Sequence, residues 1–443
     1  MGGELSNATG LLRGTRIMGI LDPIEFPPMM RIRQKFSRKR LPDVAGAIIA
    51  QIRALAPDLP IRPGQSVAIA CPSRGLADFA TIVRSVVDGL KELGLKPFIV
   101  PAMGSHGAAT ANGQKKVLED LGVTESAVGA PIRSQMEVVK IGEIHSGVPV
   151  NIDRLAFEAD HIVPINRIKE HNGFEADIQS GLMKIMVIGL GKTEGAKRYH
   201  QAMVSYGYHN VIIEGARTVL EKSNILFGVG SIENAYHQVA DVGVFKKEAI
   251  EEREKALLST YKSIKASLPF EFAHVLMIEE TGKEISGRGF DTKVVGRIGS
   301  YLSPDPEKPI IKRIMVSDLT DLTHGNATGL GPADVITRRL YDKIDHPTTT
   351  INYIVGSQLE IAKTPLIMEN DRDALTVCMM TVGLTPYAEQ KIMRVKNTLE
   401  LAEVDISQAY IPELADRNDL EIIKPSRLPT MDKNGYFIKF EDG

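Results

Sequence analysis

Apolar positions in the first half of the chain alternate between short continuous runs and longer stripes at helical spacing. Val67, Ala68 and Ile69 form such a run, so residues 66–70 are predicted as a short buried strand. Phe79, Val83, Val86, Leu90 and Leu93 then recur every three or four positions and predict a helix that stops at Gly94. An earlier helix is expected over 41–56, ended by Pro57. The unit repeats with a strand at 97–100, a helix marked by Val117, Leu118 and Leu121, and a third strand at 161–165. Residues 1–40 read as a partly irregular lead-in, with Pro23, Pro27 and Pro28 blocking regular structure.

Strands alternating with helices predict an α/β fold with parallel-type sheets and helices on both faces. In such sheets the loops after the strands' carboxyl ends gather on one edge, where ligands bind. Arg74, His106 and His171 all fall in loops of that kind. The charged stretch 246–265 reads as a helix bridging two domains, with Pro269 behind it. The expected division is 1–268, an N-terminal α/β domain, and 269–443, a C-terminal α/β domain closing an interdomain active-site cleft. The second domain opens with a strand at 274–278 and carries two glycine-rich loops, 282–289 and 324–329. The latter is expected to lead into a helix with Pro332 and Asp334 in its first turn.

A length of 443 residues suits two domains rather than one core. A net charge of -2 gives no overall basic field for nucleic acid or an anionic membrane, and neither partner is expected. Only Cys71 and Cys378 are present, which excludes a disulfide framework and an all-cysteine metal cage. Residues 1–16 carry no long apolar core, and no apolar run approaches the ~20 residues that cross a bilayer. A cytoplasmic location is the expectation.

Four residues carry candidate chemistry: His106, His171, Lys184 and His200. Two histidines on separate strand-end loops can serve the two faces of one carbon, each taking or returning a proton. Lys184 sits in an otherwise apolar run, where a cation is costly to bury and the amine is neutral, reactive or covalently committed. Taken singly, each has a bland alternative: a satisfied histidine, a snorkelling lysine, an ordinary turn.

The combination resembles the nickel-dependent lactate racemase family. The matching residues, in order, are Ser73-Arg74, Gly104-Ser105-His106, His171, Ser180-Gly181-Leu182-Met183-Lys184 and His200. The likeness covers about residues 40–260. It implies a racemase or epimerase of a small 2-hydroxy acid or sugar acid, using a nickel-pincer nucleotide made by cofactor-synthesis proteins. In that scheme Lys184 tethers the cofactor, Ser73 and Gly181 help bind it, and His200 ligates nickel. Imidazole beside the cofactor's sulfur donors suits that metal. His106 and His171 are the implied catalytic pair. Arg74 holds the substrate carboxylate through its guanidinium fork, and Lys283 is a second substrate-binding residue. Arg288, His324 and Asn326 are further pocket candidates without an assigned role.

The chain departs from the family at Cys71, where an acidic residue is common, and at Gly107, where an arginine often follows the loop histidine. The interval from His171 to Lys184 is also longer. These departures leave the cofactor residues in place and bear on the substrate. One rival reading is a nicotinamide dehydrogenase, with 185–196 as a dinucleotide fingerprint and Glu214 as the ribose acid. That rival requires a strand and turn over 180–188. A second rival is a non-catalytic ligand-binding homologue on the same fold.

Overall fold

The computed structural model describes residues 24–145, 147–300 and 303–441. The expectations placed on residues 1–16 and on Pro23 lie outside them. The first lobe is built on a five-stranded sheet. From edge to edge its strands are Lys96–Pro101, Ser66–Cys71, His161–Arg167, Phe227–Glu233 and Val239–Lys246. The first four run parallel and the last is an antiparallel edge.

Because side chains alternate across a strand, the two faces of this sheet bury different sets. Val67, Ile69 and Cys71 pack with the helices Val44–Leu55 and Phe79–Glu92. Ala68 and Ala70 face the core that includes Met186, Tyr199 and Val211. Burying an aliphatic chain of this kind contributes roughly 1.5–3 kcal/mol, so the two faces together hold the lobe. Pro57 stands in a short 3-10 turn, Ala56–Asp58, that ends the first helix as expected of it.

The second lobe is an eight-stranded mixed sheet. Its order is Leu366–Met368, Val335–Thr337, Ile310–Leu319, Phe272–Thr281, Ile392–Val395, Glu403–Ser407, Met29–Gln34 and Leu420–Arg427. The first five are parallel and the last three join antiparallel. Alternation again splits the faces: Leu276 and Ile278 look one way, Val275 and Met277 the other.

Three expectations change. The lead-in contains a strand, Met29–Gln34, paired in the second sheet, so the division does not run continuously from 1 to 268. The hydrophobic pattern missed it because its pairing partners lie nearly four hundred residues away. Pro332 and Asp334 precede the strand Val335–Thr337 rather than opening a helix, and Asp334 instead pairs with Arg297 at 2.7 Å. The charged helix Ile250–Ile264 does lead towards the second lobe, but it is also part of the first, where Glu254 is fully buried. Among the described residues no helix is long and apolar enough to cross a membrane.

Candidate active site

Arg74 and His106 follow adjacent parallel strands, and His171 follows the strand on the other side of Arg74, so all three arrive at one sheet edge. The loop bearing His106 is tightly wound: Gly104, Gly107, Ala108 and Ala109 all have positive φ, between 53° and 64°. For the two alanines this is a costly conformation that the surroundings must impose. His106 itself remains accessible to solvent while Arg74, Lys283, Lys184 and His200 surround it. It lines a cleft rather than a core.

His171 is half-buried and packs its ring against Phe174 and Tyr208, with centroids 4.6 and 5.6 Å away. Its Nδ1 accepts the Gly173 amide at 3.0 Å. The adjoining residues reach the second lobe. Asn172 donates to Ser286 Oγ, and the Asn172 carbonyl accepts from Thr292 Oγ1 at 2.8 Å. Both imidazoles are held well below the usual histidine pKa, first by desolvation and then by neighbouring cations: Arg74 and Lys283 around His106, Lys184 and Arg288 around His171.

Lys184 lies on a helical segment, Leu182–Lys184, that runs into a π-helical turn, Ile185–Gly189. Such turns recur at functional sites because they re-aim side chains. The start of the segment is fixed by Glu254. Its carboxylate accepts the Met183 amide at 2.9 Å, and a Cβ on Gly181 would meet that carboxylate at 2.2 Å. Gly181 is therefore required by this close approach. Burial pushes the Glu254 pKa up to about 7 and the Lys184 amine down to about 7, the latter helped by Arg74 and Lys169. His200, on the helix Lys192–Tyr206, is half-buried. The Val355 backbone from the second lobe stands close enough to act on its ring electrostatically, and its Nδ1 is buried without a hydrogen-bond partner.

From the second lobe comes Lys283, whose Nζ donates to Asn352 Oδ1 at 2.5 Å and whose carbonyl accepts from Arg74 at 3.0 Å. Burial and Arg74 lower its amine to about 8. Beside Arg74 opens a cavity of about 520 Å³, lined by Ser73, Arg74, Arg167, Lys169, Glu233 and Asp291 among others. His106, His171, Lys184 and His200 are not on its wall; Arg74 and Lys169 connect it electrostatically to the first three.

The structure thus brings Arg74, His106, His171, Lys184, His200 and Lys283 into one electrostatic neighbourhood. It adds two cations that sequence reasoning left without a role. Lys169, lowered to about 8 by burial and Arg167, faces the cavity. Arg288 is buried, close to His171 and bonded through Nη1 to the Ile298 carbonyl. Their position after a strand and in a glycine-rich loop was the available signal. His324 is exposed in a left-handed turn, and Asn326 uses its Oδ1 on Thr328, so that loop is accounted for by its own hydrogen bonds. It supports Lys283 indirectly, since Thr323 Oγ1 accepts the Lys283 amide.

The dehydrogenase reading loses its basis here. Residues 182–189 are helical, not strand and turn, and Glu214 lies inside the helix Tyr208–Lys222. Cys71 is fully buried at the end of its strand, with its thiol pKa pushed up by desolvation. Among the described residues no group of three or more histidine, cysteine, aspartate or glutamate side chains is placed to hold a metal.

Residues 57–210 match the family described as lactate racemase N-terminal domain. No curated protein matches the chain. Among solved structures, the lactate racemase apoprotein from Thermoanaerobacterium thermosaccharolyticum aligns at 15% identity, covering 65% of this chain and 68% of that one, with a TM-score of 0.42. The matched stretch is about a third of the chain; it is similar to that family's domain and contains Arg74, His106, His171, Lys184 and His200.

Proposed function

We propose that the chain is a racemase or epimerase of a small 2-hydroxy acid or sugar acid, working with a nickel-pincer nucleotide carried on Lys184. The observation that carries this reading is the charge pattern of the cleft. The leading charged neighbours of His106, His171, Lys184 and Lys283 are all cations, so the site is built for anionic ligands and keeps both imidazoles neutral.

The residues fit the cofactor on two counts. A buried imidazole nitrogen without a hydrogen-bond partner is available to a metal, and His200 has one in Nδ1. A lysine lowered to about 7 is uncharged in a large fraction of molecules at neutral pH, as a covalent tether requires. When bound, the cofactor would supply a pyridinium hydride acceptor and a nickel ion.

The chain's own residues do the rest. Arg74 holds the carboxylate in two parallel hydrogen bonds, and Lys283 adds a second positive charge. In the free site both imidazoles are neutral; a bound carboxylate offsets the surrounding cations, so that one histidine takes the substrate hydroxyl proton while the other, protonated once the anion is in place, returns one on the opposite face. Contacts between the lobes restrict water around the reacting carbon. Nickel-loaded protein incubated with a panel of optically pure 2-hydroxy and sugar acids tests the proposal. Loss of optical purity for at least one of them is expected, and retention for all, with nickel bound, contradicts it.

A further inference from the structure

The loop that carries His106 is anchored from behind by a buried network outside the site. Lys192 is fully buried, and its backbone is left-handed, with φ 51°. Its ammonium meets three oxygens, two by hydrogen bonds and the carboxylate as an ion pair. These are the Pro101 carbonyl at 2.6 Å, Gln114 Oε1 at 3.0 Å and Asp153 Oδ2 at 2.9 Å. Pro101 ends the strand from which the His106 loop departs.

An ammonium only donates, so it fixes which end of the Gln114 amide faces it. The oxygen is turned to Lys192, and the NH₂ group is turned to the loop. There it donates to the Gly104 carbonyl at 2.8 Å and the His106 carbonyl at 3.3 Å. Gln114 is itself fully buried. The loop has no slack against this anchor. A Cβ on Gly107 would meet the Gln114 backbone nitrogen at 2.5 Å, and one on Gly113 would meet the Gly107 carbonyl oxygen at 1.9 Å.

We propose that Gln114 and Lys192 are positioning residues for His106. Lys192, neutralised by Asp153, sets the orientation of the Gln114 amide, and that amide holds the strained loop so that the imidazole meets its substrate. The inference rests on the catalytic role given to His106 above, but its geometry stands without it. Gln114 acts on two backbone carbonyls of the loop and Lys192 on the strand end before it, and neither is bonded to the His106 imidazole.

The separating variant is Gln114→Glu. A glutamate keeps the oxygen that Lys192 requires but is an acceptor only, so the two bonds to Gly104 and His106 are lost and replaced by repulsion between oxygens. Two readouts are taken on the full chain, with melting temperature as a check on folding. In the loaded enzyme, kcat falls on the order of 100-fold with KM nearly unchanged, the penalty of a catalytic group displaced by about 1 Å. In the unloaded protein, imidazole resonances labelled with nitrogen-15 report each histidine directly. The His106 signals shift or broaden while those of His171 stay in place. Lys192→Met gives the same pattern with a lower melting temperature; should it fail to fold, Gln114→Glu decides alone. Unchanged His106 signals in Gln114→Glu, or equal movement of His106 and His171, overturns the proposal. Because the resonance readout needs no turnover, an absence of racemase activity in the parent protein refutes the functional reading and leaves this test intact.

Discussion

His106 and His171 flank Arg74 on the same sheet edge, yet they are held in opposite ways. His106 stands on a glycine-rich, left-handed loop secured wholly within the first lobe, by Gln114 and Lys192. His171 stands where the lobes meet. The segment after it is tied to the second lobe through Ser286, Thr292, Ser303 and Lys293. One imidazole is preset by a folded domain, and the other depends on how the two lobes sit together. Under the proposed reaction, in which two bases address opposite faces of one carbon, this makes the lobe contact part of the catalytic geometry. The fixed histidine defines a position, and the contact between the lobes sets the second relative to it.

The largest expected effect comes from removing either imidazole. His106→Ala and His171→Ala should each lower turnover by roughly 10²–10⁴-fold, the range for a general acid or base, while metal analysis finds nickel retained. Full racemisation by either variant would break the two-sided scheme. Next is Asp153→Ala, which leaves the buried Lys192 charge without its partner. Removing one member of such a pair costs about 3–5 kcal/mol, read as a lower denaturation midpoint. A variant as stable as the parent would show that the anchor under His106 is not a charge pair.

Thr292→Val, which deletes one hydrogen bond across the lobes, sharpens the contrast. It should cost about 1 kcal/mol and reduce turnover through His171 without moving His106. Equal perturbation of both would erase the distinction. Smallest is the pH response. Both histidine pKa values are lowered, so the proton-accepting neutral forms persist as pH falls through 6.5, and kcat/KM declines only at more acid values. A decline centred on 6.5 would mean that neither burial nor the neighbouring cations lower the two imidazoles.

Much of this was legible in the sequence because the first lobe is local. The strand Ser66–Cys71 and the helix Phe79–Glu92 follow from an apolar run and a stripe, and the βα rhythm alone sends Arg74, His106 and His171 to one edge. What could not be read depends on distant pairing. Met29–Gln34 joins a sheet whose partners lie at 403–407 and 420–427, and a six-residue strand carries no sign of its destination. The anchor was invisible for the same reason. Gln114, Asp153 and Lys192 are ordinary polar residues until folding buries them together. Glu254 is the same case: in sequence it is one of several acids on a charged helix, and only packing reveals it as the cap of the segment bearing Lys184. The left-handed alanines, Ala108 and Ala109, had no signal of their own, because alanine does not advertise strain as glycine does.

The central claim, that Lys184 carries the cofactor between two unlike histidines, is tested most directly by intact-mass measurement of protein produced together with the cofactor-synthesis proteins. The account predicts an added mass that maps to Lys184, disappears in Lys184→Ala and accompanies racemisation. A protein that racemises a hydroxy acid while Lys184 remains unmodified would contradict it.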